Sequence, residues 1–171
     1  AFQALCRQHA KRVYDTYHAT LPGLKRTSRL AAQVCRQRGY VRNLRGRRRN
    51  LPADRAHRAF NSLNQSSAAD IMKERTVALW KFLKTSPIKI VASVHDETLM
   101  CGPAEMIEDP AVIRDVVALL ESPDVGLRVP LRCSAGTSRV NWREAAGSAT
   151  AVEIDPAAVG ERSRLHFGAA R

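Results

Sequence analysis

The sequence predicts an α+β fold: helices first, then an antiparallel sheet with a long helix packed beside it. Three observations carry this. Apolar residues recur near helical spacing from residue 1 to about 20 and again from Leu24 to Cys35. The longest helical pattern runs from about Asp54 to Leu83. The apolar run Ile90-Val91-Ala92-Ser93-Val94 then meets His95-Asp96-Glu97 and turns apolar again at Thr98-Leu99-Met100-Cys101, as an antiparallel hairpin does.

In the first helix Phe2, Leu5, Cys6, Val13, Tyr14 and Tyr17 mark the apolar positions. Leu21-Pro22-Gly23 breaks it, because proline cannot continue the ladder and glycine frees the turn. The second helix carries Leu24, Leu30, Ala31, Val34 and Cys35 on one face and stops at Gly39, a residue suited to a left-handed cap. The pair makes a helical hairpin that needs something to pack on.

Tyr40-Val41-Arg42-Asn43-Leu44 is a short strand, turned at Gly46, after which Arg47, Arg48 and Arg49 lead to Leu51-Pro52. Along the long helix, Ala59, Phe60, Leu63, Ala69, Met72, Leu79 and Trp80 supply the core face. Pro87 ends the next connection, and the strand from Ile90 is greasy enough to be buried on both faces of a sheet. Pro110 to Leu120 is an amphipathic helix with Val112, Val116, Val117, Leu119 and Leu120. Leu127 to Cys133 alternates as an edge strand interrupted by Pro130. Gly136 to Trp142 closes the ordered part, with Trp142 as a core plug. Beyond Ala145 small residues dominate, as in a loosely ordered tail.

The chain has 171 residues, enough for one domain with a core or for a piece of something larger. No apolar run approaches the roughly 20 residues that span a bilayer, so no membrane partner is expected. Ala1 stands where Met would open a primary product, as in a processed chain or an excised fragment. Lys plus Arg number 28 against 16 Asp plus Glu, a formal net charge of +12. That balance, mostly arginine, points to a polyanionic partner, with nucleic acid the usual one. Cys6, Cys35, Cys101 and Cys133 are scattered without zinc-ligand spacing, so they are expected to be buried free thiols.

Three stretches stand out chemically. Half the positions from Arg36 to Arg49 are arginine, a density that repels itself unless a polyanion neutralises it. On the long helix Asn61, Asn64, Gln65, Ser66 and Ser67 form a neutral polar patch; amides donate and accept at once, which suits the minor groove of DNA, although Asn and Ser also cap and kink helices. His95, Asp96 and Glu97 sit where a strand reverses. A carboxylate there suits a hard cation, and ionic residues are equally at home in any hairpin turn.

Four blocks, in order, resemble the carboxy-terminal palm and fingers portion of family A DNA polymerases, the group of bacterial DNA polymerase I and phage replicative polymerases. Gly39 to Pro52 resembles the family's G-Y-V-x-T-L-x-G-R-R-R-x-L-P. His57 to Ile71 resembles its N-x-x-x-Q-[GS]-x-x-A-D-I helix in a form closer to the phage branch. Val94-His95-Asp96-Glu97 matches the V-H-D-E core of the third catalytic motif. Val129-Pro130-Leu131 with Gly136 and Asn141-Trp142 resembles the closing strand and N-W.

The resemblance implies an incomplete polymerase palm preceded by helices of the fingers: residues 1–52 as the remainder of the fingers with the Arg-rich hairpin, 53–146 as the palm portion, and 147–171 as the tail. It implies nucleotidyl transfer from a dNTP to a primer 3′ end with Mg2+ as cofactor. Asp96 would be a ligand of the catalytic magnesium pair, Glu97 would lie near it, and His95 would approach the primer-terminal phosphate or support the hairpin. Gln65 and Asn61, with His57 on the same segment, would contact primer–template DNA. Arg47, Arg48 and Arg49 would make backbone or structural contacts.

The chain departs from the family in lacking its D-Y-S-x-I-E-x-R motif, the source of the first catalytic aspartate, and its nucleotide-binding helix. It is therefore expected to be a fragment or split subunit, inactive alone, whose partners are primer–template DNA, dNTP and the remaining polymerase segment. Its expected location is the cytoplasm of a bacterium or phage-infected host. Two alternatives stay open: a non-catalytic basic nucleic-acid-binding module, and a relative of the single-subunit RNA polymerases.

Overall fold

The computed structural model describes residues 2–122 and 126–152, with side chains from Leu5 onward. It holds the expected α+β mixture: helices with small two-stranded antiparallel sheets. The chain divides into two units between Asp70 and Ile71, inside the longest helix.

In the first unit, helix α1 (Phe2–Thr20) is followed by α2 (Pro22–Arg38). Pro22 opens α2, where its missing N–H costs nothing because the first turn has no intrahelical acceptor for it. Gly23, expected to free a turn, lies inside the helix instead. Gly39 does act as the stop: its φ is 75°, and its N–H donates to the Cys35 carbonyl at 2.8 Å. Leu5, Val13, Tyr14 and Tyr17 of α1 each stay more than half exposed. Leu30 of α2 is also exposed, so the buried stripe of α2 is Ala31, Ala32 and Cys35.

These small side chains let strand β1 (Tyr40–Arg42) and a 3₁₀ turn (Ala53–Arg58) come close. The cluster comprises Ala31, Ala32, Cys35, Val41, Leu51, Ala56 and Ala59, with Phe60 and Leu63 packed against it. Val41 and Leu51 are its largest fully committed side chains, and burial of each is worth roughly 1.5–3 kcal/mol. Strand β2 (Arg48–Asn50) is wholly exposed, so these two residues anchor the hairpin.

Helix α3 (Ala59–Phe82) is the long helix expected from the sequence. Ala69 and Trp80 of its expected core face are exposed, Trp80 by 56 %. In the second unit, Leu79 and Leu83 gather with Ile88, Val112 and Val116, and Ile90, Met100, Leu119 and Leu120 pack around them. This core ties strands β3 (Lys89–Val94) and β4 (Glu97–Cys101) to helix α5 (Pro110–Glu121), after a short α4 (Ala104–Ile107). Asp109 caps α5 by accepting from the Ala111 N–H at 2.8 Å. At its other end Arg75 donates to the carbonyls of Leu119 and Ser122 at 3.4 and 2.7 Å.

The sheet is not buried on both faces. Strand β3 alternates between exposed and half-buried residues, no residue of β4 is fully buried, and a bulge between Ile90 and Ala92 leaves Val91 62 % exposed. The edge strand expected over 127–133 is also absent. Pro130 supplies no N–H, Val129 is 73 % exposed, and only Ser134–Ala135 (β5) pairs, with Thr150–Ala151 (β6). Glu121 instead takes the Cys133 N–H at 2.6 Å and the Arg132 guanidinium at 3.2 Å. Residues 142–147 form helix α6, so order continues past Ala145; residues 153–171 of the expected tail lie outside the described residues.

All four cysteines are free, but only Cys35 is buried; Cys6 and Cys101 are exposed and Cys133 is intermediate. Burial, then the charge of Glu121, pushes the Cys133 thiol up. Among the described residues no helix is long and apolar enough to cross a membrane.

Candidate functional site

The arginine hairpin pairs Tyr40 with Asn50, Val41 with Arg49 and Arg42 with Arg48. Val41 faces the core, and alternation puts Asn43 on the same inward side. Asn43 is only 7 % exposed and organises the turn. Its side-chain oxygen accepts from the backbone N–H groups of Arg45 and Arg47 at 3.0 and 2.9 Å. Its amide nitrogen donates to the Ser66 carbonyl at 3.1 Å and to the Asp70 carboxylate.

Asp70 also takes the Arg47 Nε–H at 2.9 Å, and the Leu44 N–H donates to Ser67 Oγ at 3.2 Å. The turn is thus bolted to α3 at Ser66, Ser67 and Asp70. Arg47 is held in this tie. Arg48 and Arg49 remain exposed, with the Arg48 guanidinium 4.8 Å from the centre of the Tyr40 ring.

On α3, Asn61 and Gln65 are exposed and four residues apart, hence on one face. His57 precedes them in the 3₁₀ turn, exposed, with Nδ1 3.1 Å from the Asp54 carbonyl oxygen. The polar patch divides. Ser66 and Ser67 turn their hydroxyls back onto the Leu63 carbonyl at 3.3 and 2.7 Å, while the amides of Asn61, Asn64 and Gln65 face outward. The sequence reading gave Asn43 and Asp70 no role. The available signal was a polar residue sharing a strand face with Val41.

In the second unit, Val94 pairs with Glu97, leaving His95 and Asp96 as a two-residue turn. His95 has φ of 55°, the left-handed conformation that lets a tight turn follow the twist of its strands. His95, Asp96 and Glu97 are all exposed. Among the described residues Asp96 has no hydrogen-bond or ion-pair partner.

Glu97 is held: its Oε2 accepts from the Trp142 indole Nε1–H at 3.0 Å. Trp142 is therefore no core plug. It is 47 % exposed and begins α6, whose cap Asn141 accepts from the Glu144 N–H at 3.0 Å. Gly136 lets the backbone around α6 come close, since a Cβ there would stand 2.0 Å from the Ala145 carbonyl oxygen. Nearby, Arg139 grips Glu108 through two bonds of 2.7 and 2.6 Å, and this hydrogen bonding draws the Glu108 carboxyl below its usual range.

Among the described residues no cluster of three or more His, Cys, Asp or Glu is placed to hold a metal ion. Magnesium keeps several waters and takes only one or two protein carboxylates, so the outward carboxylate of Asp96 fits as one such ligand.

The model of DNA polymerase family A matches residues 3–144. DNA polymerase I of Lactococcus lactis subsp. cremoris is 32% identical over 153 residues, 82% of this chain and 17% of the relative. DNA polymerase I of Deinococcus radiodurans is 36% identical over 138 residues, 75% of this chain and 14% of the relative. The phage enzyme DNA polymerase DpoZ of Salmonella phage PMBT28 is 26% identical over 145 residues, 81% of this chain and 22% of the relative. In structure the chain is similar to the POL domain of Pol1 from M. smegmatis, in complex with DNA primer-template and dNTP, with TM-score 0.58 and 28% identity over 72% of this chain and 24% of that one. The chain thus spans about a fifth of the length of the curated relatives it matches first. On the family match over most of its length, the chain belongs to DNA polymerase family A.

Proposed function

We propose that this chain is the part of a template-directed DNA polymerase that grips primer–template DNA and carries one of two metal-holding aspartates. The reaction is nucleotidyl transfer from a dNTP to a primer 3′ end, releasing pyrophosphate, in a bacterial or phage-infected cell. The observation that carries this reading is Asp96: an exposed, unpartnered carboxylate at the tip of a hairpin, next to a glutamate drawn aside by Trp142.

Asp96 would hold magnesium, which when bound as a pair stabilises the attacking and leaving oxygens of an in-line displacement. Glu97 stands beside it with its carboxylate oriented by the indole. The His95 imidazole either approaches the primer-terminal phosphate or supports the hairpin. Asn61 and Gln65, with His57, hydrogen-bond primer–template near the growing end and read base-pair shape. Arg48 and Arg49 meet phosphates, while the tie of Arg47 to Asp70 favours a structural part for that residue. The first catalytic carboxylate and the nucleotide-binding helix come from the remaining polymerase segment, so the chain is inactive alone.

Primer extension tests this. The chain should incorporate no nucleotide by itself and should do so once combined with a segment bearing the D-Y-S-x-I-E-x-R block and nucleotide-binding helix. Asp96→Ala should abolish that incorporation and leave duplex binding within about twofold, because an exposed substitution away from the duplex grip perturbs little. Normal incorporation by Asp96→Ala sinks the assignment. Duplex binding with no incorporation in any combination would favour a non-catalytic DNA-binding module.

A further inference from the structure

The face of the β1–β2 hairpin that points away from Val41 carries Tyr40 and Arg42 on one strand, Asn50 and Arg48 on the other. Arg42 and Arg48 are direct cross-strand partners, and like charges in that position destabilise a strand pair. Both guanidiniums nevertheless gather on one ring, 5.8 and 4.8 Å from the centre of Tyr40. The ring orients them but does not cancel their charge. Arg42, Arg48 and Asn50 are exposed. Among the described residues neither Arg42 nor Arg48 has a carboxylate partner, unlike Arg47 with Asp70. Two guanidiniums gathered on one ring, with an amide on the same face, present charge and donors that suit an anion.

We infer that Tyr40, Arg42 and Arg48 form a clamp for one phosphate group, supplied by a phosphodiester of the nucleic-acid backbone. Two guanidinium forks match phosphate oxygens in geometry and charge, and the anion turns their mutual repulsion into attraction. A phosphodiester suits this open strand face better than a free triphosphate does. The face offers side-chain donors only, whereas strand N–H groups lie in the plane of the ladder and cannot wrap several phosphates. The inference rests on the DNA-binding reading above, and it adds Arg42 and Tyr40 to the residues that touch DNA.

The test is fluorescence anisotropy of a labelled primer–template duplex titrated with the full chain at about 50 to 200 mM salt. The variants are Arg42→Gln, Arg48→Gln, both together, and Arg42→Glu. Each single Gln variant should weaken binding about tenfold, the effect of losing one charge-assisted contact. The double variant should lower the salt slope by about 0.9, the share of one phosphate. Arg42→Glu should weaken binding further and yet raise the thermal midpoint, because it replaces a like-charge pair by an ion pair with Arg48.

A lowered midpoint in Arg42→Glu would make Arg42 a structural residue and overturn the clamp. So would unchanged affinity in the double variant, or a slope loss near 1.8, which would mean two separate phosphates. In a parallel titration with dNTP alone, loss of dNTP binding in Arg42→Gln or Arg48→Gln with duplex affinity intact would assign the pair to free triphosphate and overturn it too. Absence of duplex binding by the unaltered chain overturns both this inference and the reading it rests on. Binding by the unaltered chain with unaffected variants overturns the clamp alone.

Discussion

The indole of Trp142 donates its N–H to the carboxylate of Glu97 at 3.0 Å, joining two stretches 45 residues apart. One is the His-Asp-Glu hairpin and the other the Asn-Trp pair that opens α6. Both side chains are exposed, so the bond orients Glu97 rather than filling the core. Trp142→Phe keeps the ring and removes the donor. It should cost less than about 1.5 kcal/mol in urea unfolding, and Trp142→Ala should stay below the about 3–5 kcal/mol that cutting a buried Trp plug to Ala costs. In an assembled polymerase Trp142→Phe should slow extension without weakening duplex binding. A stability loss above about 3 kcal/mol in Trp142→Ala would restore the core-plug reading.

Asn43 is the residue on which the shape of the arginine turn depends. Ala at this position deprives two backbone N–H groups of their acceptor and Asp70 of a donor. The turn lies partly open to water, which refills some of these bonds, so Asn43→Ala should cost about 2 kcal/mol. Thr, the residue of the family pattern, keeps one oxygen and should fall between Ala and the natural Asn. Duplex affinity should drop along the same series, since the turn sets the two strands that carry Arg42, Arg48 and Arg49. Unfolding free energies for Asn43→Ala within about 0.5 kcal/mol of the unaltered chain would show that the turn does not need this side chain.

What could be read in advance divides along physical lines. Gly39 was legible because a helix stop in the left-handed region needs a residue without a Cβ. The hairpin at Val94–Glu97 was legible because a β-branched run and a second apolar run flank a polar turn. Helical periodicity identifies a face but not what covers it, which is why Leu30 and Trp80 carry an apolar pattern and stay exposed. Alternation over Leu127–Cys133 suggested a strand, but pairing needs an N–H that Pro130 lacks and a neighbour the sequence does not name. The ties from Asn43 to Asp70 and from Trp142 to Glu97 bridge 27 and 45 residues, beyond any local pattern.

His95 sits in the left-handed region at φ 55°, where a side chain with a Cβ costs about 1–2 kcal/mol. Glycine relieves that strain, and its greater freedom in the unfolded chain takes back about 0.4–1 kcal/mol. His95→Gly should therefore gain about 1 kcal/mol, or about 2–4 °C in thermal midpoint. Asn tolerates the same backbone and should gain slightly less, whereas His95→Ala keeps the strain and should gain nothing. Primer extension by the assembled polymerase then separates the two roles open to the ring. If the imidazole approaches the primer-terminal phosphate, Gly and Asn variants will be more stable and slower. If it only supports the hairpin, they will be more stable and equally fast. A lower midpoint for His95→Gly than for His95→Ala would mean that the ring itself stabilises the turn, and the strain argument would fail.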